Sequence, residues 1–173
     1  MVIRLDKYLC DMQAGTRSAV KDIIRKKRVT INGEVITRPE TKVDIDKDVV
    51  TIDNNVLGYS EYEYYMLNKP AGVVSAVSDK NFKTVVELIT DKKRKDLFPV
   101  GRLDKDTEGL LIITNDGDMA HRLLSPKHHI DKTYYVVAKG SIDNKYIDEF
   151  KNGLVVDKDF TAMPAKLEIL QYN

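Results

Sequence analysis

Gly101-Arg102-Leu103-Asp104-Lys105-Asp106-Thr107-Glu108-Gly109-Leu110-Leu111-Ile112-Ile113-Thr114-Asn115-Asp116-Gly117 is the passage on which the reading of this chain turns. A polar loop bounded by Gly101 and Gly109 runs directly into an apolar stretch, 110–114, whose composition predicts a buried strand. Asp116 is placed to cap a helix over about 117–124, and Pro126 lies beyond its end. Chemistry is often carried on such loops, held by the rigid elements that flank them. Within the loop, Asp104 stands between Arg102 and Lys105. A neighbouring cation favours the ionised carboxylate, which can act as nucleophile, base or electrostatic stabiliser. The same residues also describe a tight turn with a weak surface ion pair. With Asp106 or Glu108 as partner, they describe a pair of carboxylates of the kind that cleaves glycosides across a sugar. From the residues alone all three stay open.

Outward from the loop, periods of two and of 3.6 are interleaved. Residues 64–67 and 73–77 read as strands separated by the turn Asn68-Lys69-Pro70-Ala71-Gly72, and Thr84 can cap a short helix over 84–89. Downstream, 133–138 reads as a strand and 144–152 as a helix with Gly153 just past it. Strands are also expected at 154–156 and 167–170.

The N-terminal part has another character. Leu5, Leu9 and Met12 predict a helix over 4–12, which Gly15 breaks. Thr16 then caps a second helix running to about residue 28. Arg17, Lys21, Arg25 and Arg28 fall on one face of it. Asn32-Gly33 between 29–31 and 34–36 is a strong two-residue hairpin signal, and 49–52 offers another strand. Residues 1–53 are thus expected to form a compact ααβ unit, followed by a linker over 54–61. The predicted fold class is α+β, with domains at 1–58 and 59–173.

The 173 residues are 42% hydrophobic and 32% charged, enough for one large or two small cores. The net charge of +1 does not single out a polyanionic partner, but its distribution suggests a basic binding end joined to a neutral body. Residues 1–28 hold eight basic side chains against three acidic ones. A helix face of four cations suits phosphate contacts, although a solvated face has the same composition. The single cysteine, Cys10, excludes an internal disulfide framework. The absence of any long apolar run leads to the expectation of a cytoplasmic protein with no membrane contact.

Two resemblances add to this. Arg4-Leu5-Asp6-Lys7-Tyr8-Leu9, Thr16-Arg17-Ser18-Ala19-Val20-Lys21-Asp22-Ile23-Ile24 and Val29-Thr30-Ile31-Asn32-Gly33-Glu34-Val35 together resemble the S4 RNA-binding domain in order and spacing. The resemblance implies RNA contacts at Arg4, Lys7, Arg17, Ser18, Lys21 and Arg25. Gly-Arg-Leu-Asp-x-x-Thr-x-Gly-Leu-Leu, from Gly101, is similar to the signature of the pseudouridine synthases of ribosomal RNA. It implies that Asp104 is the catalytic carboxylate and that Arg102 orients it and fills the space of the flipped-out uridine. Tyr65-Met66-Leu67-Asn68-Lys69-Pro70-Ala71-Gly72 resembles that family's first motif. Asp131-Lys132-Thr133-Tyr134 resembles its Lys-x-Tyr motif, implying substrate contacts from Lys132 and Tyr134. The run 121–129, with the S4-like region, resembles the branch that acts on small-subunit rRNA.

The reaction so implied needs no cofactor, and the expected partner is ribosomal RNA, bound by a monomer. The alternative is an RNA-binding protein without catalysis. A metal site at His121, His128 and His129 is not expected, since no cysteine or close carboxylate completes a ligand set. Members of the family carry a further basic motif well after Lys-x-Tyr. This sequence is read as ending before it, with the expectation that the chain alone has little or no activity.

Overall fold

The computed structural model describes residues 1–128 and 130–170. His129 and residues 171–173 lie outside the described residues. The chain divides into two units, Met1–Ile130 and Asp131–Asn173.

In the first unit the N-terminal residues fold as their periods dictate. β1 (Val2–Arg4) leads into α1 (Leu5–Asp11), and Thr16 caps α2 (Arg17–Arg25) by accepting from the Ala19 amide at 3.3 Å. Leu5, Leu9, Val20 and Ile24 are fully buried between the helices and the strands behind them. The helix is shorter than expected. Lys27 turns to φ +60°, so Arg28 leaves the cationic face and pairs with Asp53, its Nε donating to Oδ1 at 2.8 Å. Arg17, Lys21 and Arg25 remain on α2.

Asn32 and Gly33 take φ of +51° and +86°, the left-handed pair that a two-residue hairpin requires. They join β2 (Val29–Ile31) to β3 (Glu34–Val35). β4 (Lys42–Asp44) pairs antiparallel with β1, and β5 (Val50–Ile52) pairs with the other edge of β2. The expected linker begins as structure instead. Asp53 and Asn54, also at positive φ, turn the chain into β6 (Asn55–Val56), which completes a sheet ordered β3-β2-β5-β6.

A second sheet carries the loop of interest. β7 (Tyr64–Lys69), β8 (Phe98–Val100) and β9 (Gly109–Thr114) form an antiparallel sheet in the order β7-β9-β8. β9 is central because it is the most apolar. Leu111 and Ile113 face a core with Val73, Val85, Val86 and Leu97, while Leu110 on the other face is 67% exposed. Asp116 caps α3 (Gly117–Leu124), accepting from the Met119 amide at 2.9 Å.

Two local expectations fail here. Residues 73–77 are not a strand and make one bridge, Val74 to Thr84. The expected helix at 84–89 is a single 3₁₀ turn, Val86–Leu88. It is held by a reciprocal cap: the Thr84 amide donates to Glu87 and the Glu87 amide to Thr84 Oγ1.

The second unit contains α4 (Lys145–Asn152), ended by Gly153 at φ +97°, and one bridge between Val155 and Thr161. No strand is formed among its described residues at 133–138, 154–156 or 167–170. Strand propensity reflects packing against neighbouring strands, and among the described residues no sheet edge takes up 133–138 or 167–170, while 154–156 bonds only to the adjacent 160–162. Tyr135 and Val137 are accordingly 77% and 85% exposed. Among the described residues no helix is long and apolar enough to cross a membrane.

Candidate active site

Asp104 sits on the loop that joins β8 to β9, and that loop is fastened from below. Gly101 opens it at φ +90°, with a Cβ position only 3.3 Å from Leu124 Cδ2 of α3. A side chain there would meet both backbone strain and the helix. The Thr107 amide donates to the Asp104 carbonyl at 3.1 Å and closes the turn.

Two side chains from the β7 end of the sheet hold the loop in place. Lys69, the last residue of β7, is fully buried. Its Nζ donates to the carbonyls of Pro70 (3.1 Å), Lys105 (3.0 Å) and Thr107 (2.7 Å). The register that pairs Lys69 with Gly109 brings this ammonium under the loop. Three carbonyl dipoles surround the charge in place of water, which a buried ammonium requires. Ser75 holds the residue before Asp104. Its Oγ donates to the Leu103 carbonyl at 2.8 Å and accepts from the Leu103 amide at 3.1 Å. Gly72 adds a bond from its amide to the Lys105 carbonyl at 2.9 Å.

Above this base the Asp104 carboxylate is exposed and makes no hydrogen bond or salt bridge among the described residues. Arg102 is exposed on the same loop and is not ion-paired with it. Lys105 does not hold Asp104 either: its Nζ lies 4.0 Å from the centre of the Phe82 ring. Glu108 accepts from the Ala71 amide at 3.4 Å and so serves the turn, while Asp106 is exposed. The result is a free carboxylate on a rigid support, open to a large ligand approaching from solvent.

The other expected site residues fall in two places. Arg4, Lys7, Arg17 and Lys21 line one groove with Lys95. Ser18 and Arg25 lie on α2 outside that groove, and Arg25 is 3.7 Å from Asp22. Asp104 is not part of the groove. Lys132 and Tyr134 belong to the second unit, where both are exposed, Tyr134 at 60%. His121 and His128 are exposed.

The sequence did not single out Ser75, Arg94 or Lys95, and it gave Lys69 only a place in a turn. The Lys92-Lys93-Arg94-Lys95 run was the one available signal for the middle pair. Arg94 is 4% exposed and ties the two parts of the first unit together. It meets Asp96 at 2.9 and 2.7 Å, the Tyr59 hydroxyl at 3.2 Å and Asp11 at 3.4 Å. Burial lowers its affinity for the proton, but Asp96, the Tyr59 hydroxyl and Asp11 together outweigh this and raise it above the usual guanidinium value.

Comparison with known proteins gives a consistent picture. The family model described as RNA pseudouridylate synthase matches residues 63–170, and that of the S4 domain matches residues 3–50. An uncharacterized RNA pseudouridine synthase of Bacillus subtilis is 44% identical over 168 residues, 96% of this chain and 70% of its own length. The ribosomal small subunit pseudouridine synthase A of Haemophilus influenzae is 36% identical over 174 residues, 99% of this chain and 75% of its own. A crystal structure of a pseudouridylate synthase matches with a TM-score of 0.58 at 34% identity, covering 98% of this chain and 73% of that one.

Proposed function

The chain belongs to the RNA pseudouridine synthase family, and from that premise we propose that it isomerises a uridine of small-subunit ribosomal RNA with Asp104 as the catalytic carboxylate. The observation that carries the assignment of Asp104 is its setting. It is an exposed carboxylate without a partner among the described residues, on a loop whose backbone is fixed by Lys69 and Ser75. A carboxylate that merely stabilised the fold would be engaged in the contacts that stabilise it. This one is left available while its support is held still, which is the arrangement that positioned catalysis needs.

The reaction breaks the N1–C1′ bond of the nucleotide, turns the base and forms a C5–C1′ bond. The hydrogen on C5 is lost as a proton and N1 ends protonated, so the RNA gains and loses no atoms. No electrons are transferred, and no cofactor is required. The target base must leave its stack to reach an enzyme surface, at about a few kcal/mol in a duplex and less in a loop. Asp104 then acts on the sugar, either by attacking C1′ or by removing the 2′ proton. A primary isotope effect from deuterium at C2′ distinguishes the second from the first. Arg102, on the same loop, fills the place the base vacates and orients Asp104 once the nucleotide is bound. Tyr134 packs on the base and Lys132 assists in holding it.

The S4 region, taken as residues 1–58, supplies grip on the RNA backbone through α1 and α2, and residues 59–173 carry the chemistry. The protein is read as a cytoplasmic monomer that acts on ribosomal RNA or an assembly intermediate. Mapping pseudouridines in total rRNA from cells with and without the gene tests this. The expected result is one site lost from small-subunit rRNA. Loss from large-subunit rRNA alone, or from neither, contradicts the assignment.

A further inference from the structure

Five cations line one groove of about 480 Å³, and they come from two separate parts of the chain. Arg4, Lys7, Arg17 and Lys21 belong to the S4 region, whereas Lys95 belongs to the segment that leads into β8. Two of the five are already engaged: Arg4 meets Asp6 at 2.7 Å, and Lys7 is bonded to Asp11. Arg17, Lys21 and Lys95 make no salt bridge among the described residues, and all three are exposed.

Lys95 is not on a loose loop. The residues on either side of it, Arg94 and Asp96, are bonded to each other twice, and Arg94 reaches across to Asp11, the Tyr59 hydroxyl and the Ser60 carbonyl. Tyr59 in turn donates to Asp11 at 3.0 Å and lies 4.9 Å from the Tyr8 ring. Gln13 adds a bond to the Lys92 carbonyl at 2.9 Å. A buried guanidinium with this many partners fixes the position of the exposed ammonium next to it.

We propose that Lys95 extends the RNA-binding face of the S4 region onto the body of the enzyme. One sugar-phosphate backbone is then held jointly by Arg17, Lys21 and Lys95, at a spacing set by Arg94. The groove is lined by the five cations, by Asp6 and Asp11, which Arg4 and Lys7 engage, and by Cys10; the three cations left over are dispersed, which suits a polyanionic chain whose phosphates are contacted one at a time. Fixed spacing gives this track a second role. Held at one end by α2 and at the body by Lys95, the RNA keeps a constant register relative to the β8–β9 loop. The proposal rests on the reading of α2 as an RNA-binding element.

The test is equilibrium binding of the full-length protein to a fluorescent small-subunit rRNA stem-loop transcript across 50–200 mM salt. Lys95→Gln is expected to weaken binding about 3–10-fold and to reduce the slope of log K against log salt by about one phosphate contact. Lys95→Arg keeps both, and Lys47→Gln, outside the groove, changes neither. In an Arg94→Gln background, adding Lys95→Gln has a much smaller effect than in the wild type, because Lys95 is no longer held in register. Strictly additive effects overturn the positioning role of Arg94. If Arg17→Gln and Lys21→Gln weaken binding but Lys95→Gln does not, the extended track is wrong and the S4 reading stands. If none of the three changes affinity or slope, the S4 reading fails and the track with it.

Discussion

Ser75 grips Leu103 from both sides, donating to its carbonyl at 2.8 Å and accepting from its amide at 3.1 Å. One hydroxyl therefore fixes both peptide units that flank Leu103, and the second of these leads into Asp104. The carboxylate owes its position to a side chain that lies 28 residues before Leu103 in the chain.

Ser75→Ala should leave RNA affinity near its wild-type value and slow pseudouridine formation about 10–100-fold in single-turnover assays of the full gene product. Ser75→Thr keeps the hydroxyl and should recover most of the rate. A fall in affinity that accounts for the whole loss, with the bound-state rate unchanged, would show that Ser75 serves binding rather than position.

Lys69→Met should lower stability more than any surface lysine change. The substitution keeps most of the volume but leaves the Pro70 and Thr107 carbonyls without the ammonium, while the Lys105 carbonyl keeps the Gly72 amide as a donor. Leaving such groups unsatisfied costs about 1–3 kcal/mol each. A loss of about 3 kcal/mol corresponds to a fall in Tm of roughly 6–12 °C for a chain of this size. A change below about 1 °C in a melting scan would mean that the Pro70 and Thr107 carbonyls find other partners.

Gly101→Ala meets two separate obstacles, the positive φ and Leu124 at 3.3 Å. Backbone strain of this kind costs about 1–3 kcal/mol. Trimming the neighbour in the double variant Gly101→Ala/Leu124→Ala relieves only the contact. Denaturant titrations should therefore show both variants below wild type. If the double variant is as stable as Leu124→Ala alone, the backbone contribution is absent.

Acid should weaken the junction around Arg94. Burial raises the Asp96 carboxyl, but Arg94, with smaller help from the Asp96 amide and Asn115, outweighs this and holds it below the ordinary value of 3.8. Asp6 is likewise lowered, chiefly by Arg4. A carboxyl whose folded pKa lies below its unfolded one adds stability above the unfolded value. That stability is lost as pH falls through the folded pKa. Urea midpoints should thus be flat near neutral pH and drop below about pH 4. Arg94→Met should lower the neutral plateau and make the acid drop shallower, since Asp96 is then no longer held down. Parallel acid limbs in the two proteins would contradict the pairing.

What the sequence disclosed follows from how local each signal is. Thr16, Asn32-Gly33 and Asp116 act on residues within three or four positions, and each does in the structure what its type requires. The 110–114 run is apolar enough to demand a central strand. The strands expected at 73–77 and 133–138 depend on an edge elsewhere in the chain, which their own residues do not specify. Arg28 left its helix because Lys27 adopts a left-handed turn, a choice no apolar period records. Asp104 read physically as an ordinary loop carboxylate until its motif was matched, and its supports stayed hidden. A serine and a lysine are common surface residues, and only the fold brings Ser75 to Leu103 and Lys69 under Thr107.

The central claim is that Asp104 performs the chemistry. The direct measurement is pseudouridine mapping of rRNA from cells whose only copy of the gene carries Asp104→Asn, beside RNA binding by the purified variant. Loss of the modification at the enzyme's site, with binding within about twofold of wild type, is the predicted result. Modification that persists at the wild-type level would remove Asp104 from the mechanism.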